Sequence, residues 1–332
     1  QRYYFDAASK TDISSFIRAN YQVHKKLNLF GDLQVRSIGY QFEGPKADLF
    51  GNVSLEKQRL NWVFFNPKFG MNYQATGKDR LYTSIAVGNR EPARVDIVDA
   101  TQNSRPEYET LYDWELGYER KSRVYSFGVN AYWMIYQNQL VLNGRVNDVG
   151  AYIRENVDDS YRLGVEVMAS INILKNLNFS ASYTWSRNRI ANFVEYIDDY
   201  DNGGQLTIEH GETEISFSPN HIANGVLSYQ PVKGLDISWI NQYVGDQFLD
   251  NTSNQSRKLD QYVIGNFRIH YRFGWKFFRE IGVGVQLNNI YNQLYESNGY
   301  TFSYVFGGEQ TTENFYYPQA GFNFLTMLTL KF

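Results

Sequence analysis

The sequence predicts an all-β chain, a transmembrane antiparallel β-barrel. Three observations predict it. Side chains alternate between apolar and polar with period two, connectors alternate between short and long, and aromatic residues are abundant. The 332 residues include 27 Tyr, 23 Phe and 6 Trp, against 7 Pro and no Cys.

The alternation is strictest over 177–186. Leu177, Phe179, Ala181, Tyr183 and Trp185 fall on one face, and Asn178, Ser180, Ser182, Thr184 and Ser186 on the other. Such a segment is a strand with one apolar and one polar side. From Tyr125 onward, Phe127, Val129, Ala131, Trp133 and Ile135 share a face opposite Ser126, Gly128, Asn130, Tyr132 and Tyr136. Ile281, Val283, Val285 and Leu287 alternate with Gly282, Gly284, Gln286 and Asn288. Phe322, Phe324, Leu328, Leu330 and Phe332 keep the same step, with only Thr326 polar among them.

Read in this way, the chain holds thirteen strands, near 12–23, 27–42, 61–74, 80–89, 108–120, 123–138, 150–172, 177–190, 217–230, 235–247, 259–272, 280–291 and 316–332. His24-Lys25-Lys26, 75–79, Lys121-Ser122, 174–176 and 231–234 have tight-turn compositions. Long loops are expected at 43–60, 90–107, 139–149, 191–216, 248–258 and 292–315, and no helix between strands. Short turns on one rim and long loops on the other describe an outer-membrane barrel, with a polar lumen and an apolar outer face. A soluble sandwich rarely sustains strands this long. A propeller needs a repeat of about 40–50 residues, which is not found. Tyr183, Trp185, Tyr229, Tyr243 and Tyr271 sit near strand ends, where amphipathic rings favour the headgroup level.

Composition narrows the function. Without Cys there is no disulfide framework and no thiolate-bound zinc or iron–sulfur site. Lys and Arg number 32 against 35 Asp and Glu, a net charge of −3, which argues against a nucleic-acid partner. The mean hydropathy is −0.48 and no run of about 18 apolar residues exists, so a membrane crossing must use strands. No basic start followed by an apolar stretch appears near Gln1.

A closed antiparallel barrel needs an even strand count, so thirteen implies an odd number of further strands. The first ten residues read as the end of a loop, with Asp12 starting a descending strand. Several pieces then carry a resemblance. They are Gly88-Asn89-Arg90-Glu91-Pro92, Arg105-Pro106-Glu107, Trp114-Glu115-Leu116-Gly117-Tyr118, and Asn156-Val157 through Gly164-Val165-Glu166. Val285 to Asn292 and Tyr317-Pro318-Gln319-Ala320-Gly321 complete them. In this order and spacing, over nearly the whole chain, they resemble the C-terminal part of TonB-dependent outer-membrane receptors.

The resemblance implies that 1–332 is a C-terminal portion of a barrel of about 22 strands around a plug. The plug, a TonB box and about nine strands would lie outside this chain. It implies residence in the bacterial outer membrane, contact with its lipid, and energy from TonB through the plug. The cargo would be a large, scarce nutrient, first a ferric siderophore, with cobalamin, haem or an oligosaccharide as alternatives. A passive porin or adhesin barrel is the alternative of another class. Phe322 departs from the family, which often has Arg there.

No enzyme motif is found: no G-x-S-x-G, H-E-x-x-H or Walker loop. No resident cofactor is expected. His24 falls in a turn and His270 on a polar face, where a lumen hydrogen bond is expected. His210 lies in a long loop, with too little context for haem capture. Glu195, Asp198, Asp199, Asp201, Glu209, Glu212 and Glu214 make loop 191–216 acidic. It reads as a solvated or cation-paired loop, with calcium an open alternative. Arg90, Glu91, Arg94, Asp96, Arg105 and Glu107 cluster at one strand top. They read as plug-docking ion pairs ahead of direct ligand contacts, though Arg in a concave mouth suits an anionic chelate. Tyr3, Tyr4, Phe5, Tyr196, Tyr200, Tyr300, Phe302, Tyr304 and Phe306 could stack on the cargo or pack the loops together. Phe332, ending the last alternating strand, resembles the terminal aromatic by which barrels are recognised for assembly.

Overall fold

The structure, a computed structural model, describes residues 8–47, 53–98, 105–146 and 152–332. In chain order the elements are β1 (Ala8–His24), β2 (Leu27–Ala47), β3 (Val53–Gln74), β4 (Asp79–Arg90), α1 (Arg94–Val98), β5 (Glu109–Lys121) and β6 (Tyr125–Val146). There follow β7 (Tyr152–Leu174), β8 (Leu177–Asp199), β9 (Gln205–Glu214), β10 (His221–Tyr229), β11 (Leu235–Val244), β12 (Gln247–Phe248) and β13 (Lys258–Leu259). The last are β14 (Tyr262–Trp275), β15 (Phe278–Asn288), β16 (Glu296–Phe306), β17 (Glu309–Pro318) and β18 (Asn323–Lys331).

Thirteen strands, β1 to β8, β10, β11, β14, β15 and β18, form one continuous wall in chain order. Every neighbouring pair along it is antiparallel. These are the thirteen strands that the periodicity predicts. Among the described residues β1 and β18 each have one hydrogen-bonded neighbour in the wall, so the sheet is an open arc of barrel.

The differences from expectation all lie beyond one rim. Strands β2, β3, β6 and β8 extend well past the wall into segments expected as loops. Residues 292–315 hold most of the β16–β17 hairpin, and β9 folds back on the extended end of β8. The expected last strand 316–332 divides: its first residues belong to β17, and the wall strand starts at Asn323. Among the described residues one helix, the five-residue α1, interrupts the strands where none was expected. Paired extended chain satisfies its own backbone, so long excursions between wall strands become hairpins when their side chains allow it.

Side-chain polarity follows the wall. Leu81, Ile85, Trp114, Leu116, Phe127, Trp133, Phe179, Tyr183 and Trp185 are exposed on the outer face. Ser84, Asn130, Ser186 and Asn188 are buried on the inner face. That face also carries paired charges, Arg18 to Asp32 at 2.6 Å and Arg80 to Glu119 at 2.8 Å. Lipid can cover the apolar face, whereas charges there would be costly. Tyr229 and Tyr271 are exposed near strand ends, and the Tyr243 hydroxyl donates to Gln261 at 2.6 Å.

Inside the wall, glycine and aromatic residues pair across strands. Phe30 faces Gly70, Tyr82 faces Gly117 and Tyr132 faces Gly164 in register. At each glycine an added Cβ would strike the partner's ring. The ring lies flat on bare backbone, and such cross-strand pairs hold register. The Tyr82 hydroxyl completes its row by donating to Asn130 at 3.2 Å.

The dry packing sits at the long-loop end. Val141, Ile190, Phe193 and Ile215 form a buried cluster, and Phe248, Leu249 and Leu259 are buried nearby in sequence to the loop strands. The loops therefore have a core of their own.

In the full-length receptor containing this chain, Gly117→Ala is expected to lower stability by about 1–3 kcal/mol through overpacking against Tyr82. Adding Tyr82→Ala is expected to cost less than the sum of the two single changes. Denaturant midpoints of the four proteins measure this coupling, and strict additivity would refute the pairing.

Candidate functional site

Two cavities open on the inner side of the long-loop end. The first, about 690 Å³, lies beneath α1 and is lined by Lys10, Arg36, Arg90, Glu91, Arg94, Asp96 and Arg154 among others. Glu91 follows directly on β4 and its side chain is only 11% exposed. Its carboxylate accepts from Lys10 Nζ at 2.5 Å and from Arg36 Nη1 at 3.1 Å. Arg36 Nη2 also donates to Asp12 Oδ2 at 2.6 Å. Burial pushes the Glu91 carboxyl up, but the Lys10 hydrogen bond, a backbone hydrogen bond and Arg36 outweigh it and hold it below its ordinary value.

One side chain, Asp96, both caps the helix and ties it to the wall. Asp96 Oδ2 accepts the Ala93 backbone N–H at 3.0 Å, and Oδ1 accepts Arg154 Nη1 at 3.0 Å. The first contact closes the helix start, and the second ties α1 to β7 across the cavity. Arg90 pairs with Glu109 at 2.5 Å while most of its side chain remains exposed. Five cationic side chains and two carboxylates line this cavity, and Asp12 and Glu109 pair with Arg36 and Arg90 from outside the lining.

The second cavity, also about 690 Å³, shares Leu140 and Arg154 with the first. Its aromatic lining comes from Phe193, Tyr196, Tyr200, Phe217, Tyr300, Phe302 and Tyr304. Tyr300 and Phe302 both stack on Phe315, with interplanar angles of 9°. Arg257 forms the floor contact between loops, its side chain 4% exposed. Nη1 donates to Glu195 Oε1 at 2.5 Å and Asp250 Oδ2 at 2.8 Å, and Nη2 donates to Ser303 Oγ at 2.8 Å. Burial disfavours its charge, but the two carboxylates outweigh burial and raise it further. A buried cation so paired fixes loop geometry and is unavailable as a mobile ligand contact.

The family model described as "TonB dependent receptor-like, beta-barrel" matches residues 1–292. The chain belongs to that family. No curated protein sequence matches it significantly. Among solved structures, the siderophore receptor PiuA from Acinetobacter baumannii is similar at TM-score 0.76 and 14% identity, over 97% of this chain and 43% of that one. The ferric-catecholate import receptor Fiu from E. coli K12 follows at 0.70 and 13%, over 98% and 45%. The copper transporter OprC is similar at 0.73 and 14%, over 98% and 48%. At these identities the likeness is one of fold, and the chain spans less than half the length of each. The family and these neighbours are transport receptors.

The receptor wall brings together only part of the expected site. Arg90, Glu91 and Arg94 line the cationic cavity with Asp96. Arg105 and Glu107 do not. Arg105 donates to Gln58 at 3.1 Å, while the Glu107 backbone N–H donates to Asn156 at 2.7 Å and its carboxylate accepts from Asn138 at 3.3 Å. Tyr196, Tyr200 and Tyr300 converge on the aromatic cavity with Phe302 and Tyr304, whereas Phe306 is exposed at a hairpin tip. Tyr3, Tyr4 and Phe5 lie outside the described residues. The acidic segment disperses to separate partners. Glu195 meets Arg257 and His210, Glu212 meets Arg187, and Glu214 meets Arg189. Among the described residues no three carboxylates or imidazoles converge on one point. His270 packs over Gly282 and Gly284.

Sequence reasoning missed Lys10, Arg36, Arg154 and Arg257. Parity alone marks Arg36 and Arg154 as polar-face residues, and nothing local marks Arg257.

The depressed Glu91 carboxyl makes a pH prediction. Its stabilisation is present above the ordinary carboxylate range and is lost as pH falls through its lowered folded value. In the full-length receptor Glu91→Gln is expected to cost roughly 1–2 kcal/mol at neutral pH. The gap from wild type should close in acid. Unfolding midpoints across pH test this, and a constant gap would refute it.

Proposed function

We propose that this chain forms part of the wall and loops of a TonB-dependent importer in the bacterial outer membrane, and that the cargo is an anionic metal chelate, first a ferric siderophore. The carrying observation is the cavity lined by Lys10, Arg36, Arg90, Arg94 and Arg154 against Glu91 and Asp96. Five cationic groups gathered in a concave, partly desolvated site can draw an anion, although Arg36 and Arg90 also pair with Asp12 and Glu109 outside the lining. The adjoining aromatic cavity offers flat faces to the organic part of such a chelate. PiuA and Fiu, named for a siderophore and a ferric catecholate, support iron as the first metal to try, and OprC adds copper. In this reading 1–332 is a C-terminal portion of the barrel, lipid covers its outer face, and a plug carried elsewhere in the receptor receives energy from TonB. Arg90 and Glu91 face the lumen mouth, where they also suit docking of that plug.

Binding to the purified full-length receptor tests the cargo, with a panel of ferric siderophores, ferric citrate, a copper chelate, cyanocobalamin, haem and neutral oligosaccharides. A ferric chelate is expected to bind, and Arg90→Ala to weaken it by about tenfold. Saturable binding of cobalamin or an oligosaccharide, with no ferric chelate bound, would overturn the reading.

Assembly is a separate proposal. The Phe332 ring follows β18 and packs against Phe278, with centroids 5.0 Å apart. An aromatic residue in step with Phe324, Leu328 and Leu330 suits recognition by assembly machinery. Phe332→Asp is expected to reduce the heat-modifiable, inserted fraction of the receptor while leaving ligand affinity of the inserted fraction intact. Normal insertion would remove this role.

A further inference from the structure

We infer that Asn202 is a site of self-modification, at which the backbone nitrogen of Gly203 attacks the side-chain amide and converts it to aspartate and isoaspartate. In this step the Gly203 nitrogen gives its proton to water and bonds to Asn202 Cγ. The Cγ–Nδ2 bond breaks and ammonia leaves, which closes a succinimide ring. Water then opens the ring at either carbonyl. One opening gives an aspartyl residue, and the other an isoaspartyl residue whose main chain runs through the side chain. A following glycine favours the attack, because no Cβ crowds its nitrogen and its backbone turns freely.

The sequence holds four Asn-Gly steps, Asn143-Gly144, Asn202-Gly203, Asn224-Gly225 and Asn298-Gly299. The fold protects three of them. Asn224-Gly225 lies within β10, paired with β8 on one side and β11 on the other. Asn143 is buried and donates to Glu155 Oε2 at 2.7 Å, while Gly144 packs against the Tyr196 carbonyl. Gly299 is buried in paired β16, and Asn298 Oδ1 accepts its N–H at 2.8 Å. A nitrogen held in this way reaches the neighbouring Cγ only after local opening.

Asn202-Gly203 differs on each count. It sits in the turn between β8 and β9, where residues 201–204 are all exposed. Gly203 and Gly204 have φ of +73° and +84°, and a Cβ added at either would meet open space. Among the described residues no acceptor takes the Gly203 N–H. The restraint on Asn202 comes from Asp199. Its Oδ2 accepts Asn202 Nδ2 at 3.0 Å and its Oδ1 accepts the Asn202 backbone N–H at 3.1 Å. The Asn202 side chain, and then its N–H, hold the Asp199 carboxyl below its ordinary value. Such contacts at an exposed turn open at low cost.

Conversion replaces the Nδ2 donor with a carboxylate facing Asp199, and isoaspartate lengthens the main chain at the tip. Neighbouring Asp201 accepts the Gly307 and Gly308 N–H groups at 2.8 and 2.7 Å, so the altered turn adjoins a contact between two loops. The long-loop surface thereby gains negative charge and slack as the receptor ages, whatever its cargo.

The test ages the full-length receptor, inserted in outer-membrane vesicles, in mildly alkaline buffer and maps its peptides by mass spectrometry. Methylation by an isoaspartyl methyltransferase reads the isoaspartate separately. Asn202 is expected to convert at least about tenfold faster than the other three asparagines, each of which must first open locally. In denaturant, where that protection is gone, the four are expected to convert at similar rates. Gly203→Ala is expected to slow conversion at Asn202 by about tenfold by crowding the attacking nitrogen. Heat-modifiable mobility confirms insertion, and the comparison of the four wild-type sites decides the matter if Gly203→Ala fails to insert. Equal rates at the four sites in the inserted receptor, or an Asn202 that stays intact, would overturn the inference.

Discussion

Backbone hydrogen bonding is the constraint on which the rest of this structure depends. A strand that crosses lipid has no water to satisfy its N–H and C=O groups, so each must find them on a neighbouring strand. The wall meets this with twelve antiparallel pairings in chain order. Fixed pairing then fixes side-chain direction, because a slip of one residue would turn every apolar face inward. The outward Trp114, Trp133 and Trp185 and the inward Ser84, Asn130 and Ser186 are consequences of that single requirement.

Beyond the wall the requirement loosens and a different balance takes over. The loop strands still pair, but their positions relative to each other are set by side chains. Arg257 joins β8, the 248–258 segment and β16 through Glu195, Asp250 and Ser303. Asp96 joins α1 to β7 through Arg154. Asn251 is buried, accepts the Ser216 N–H at 2.8 Å and donates to Leu142 O at 2.8 Å. Buried polar groups of this kind are satisfied in one arrangement and costly in others, so they specify loop geometry where apolar packing alone would not. The two cavities are the spaces left between elements so fixed.

This division explains what could be read from the sequence. The wall was legible because period two is a local signal: Leu177 to Ser186 declares its two faces without reference to anything else. The loop strands were less so. Gly307-Gly308, flanked by Tyr304 and Phe306, carries a hairpin signature, but an expectation of long loops between wall strands hid it. The boundary between β17 and β18 was blurred because Tyr316 and Phe324, on either side of the break at 319–322, share the composition of a strand. Arg90, Glu91 and Arg94 could be named from their clustering. Lys10, Arg36 and Arg154 come from strands far apart in the chain and reach the same cavity only through register, while Arg105 and Glu107, close in sequence, leave it.

The flattened aromatic residues of the inner wall bear on how wide the passage can be. Tyr82 on Gly117, Tyr132 on Gly164 and Phe30 on Gly70 lay their rings along the backbone where a free side chain would stand upright. A tyrosine standing off the sheet would project several ångströms toward the axis. Lying down, it thickens the wall and leaves the bore clear. Three bulky residues thus stiffen the staves without narrowing the pipe, and the clearance gained belongs to whatever fills or crosses it.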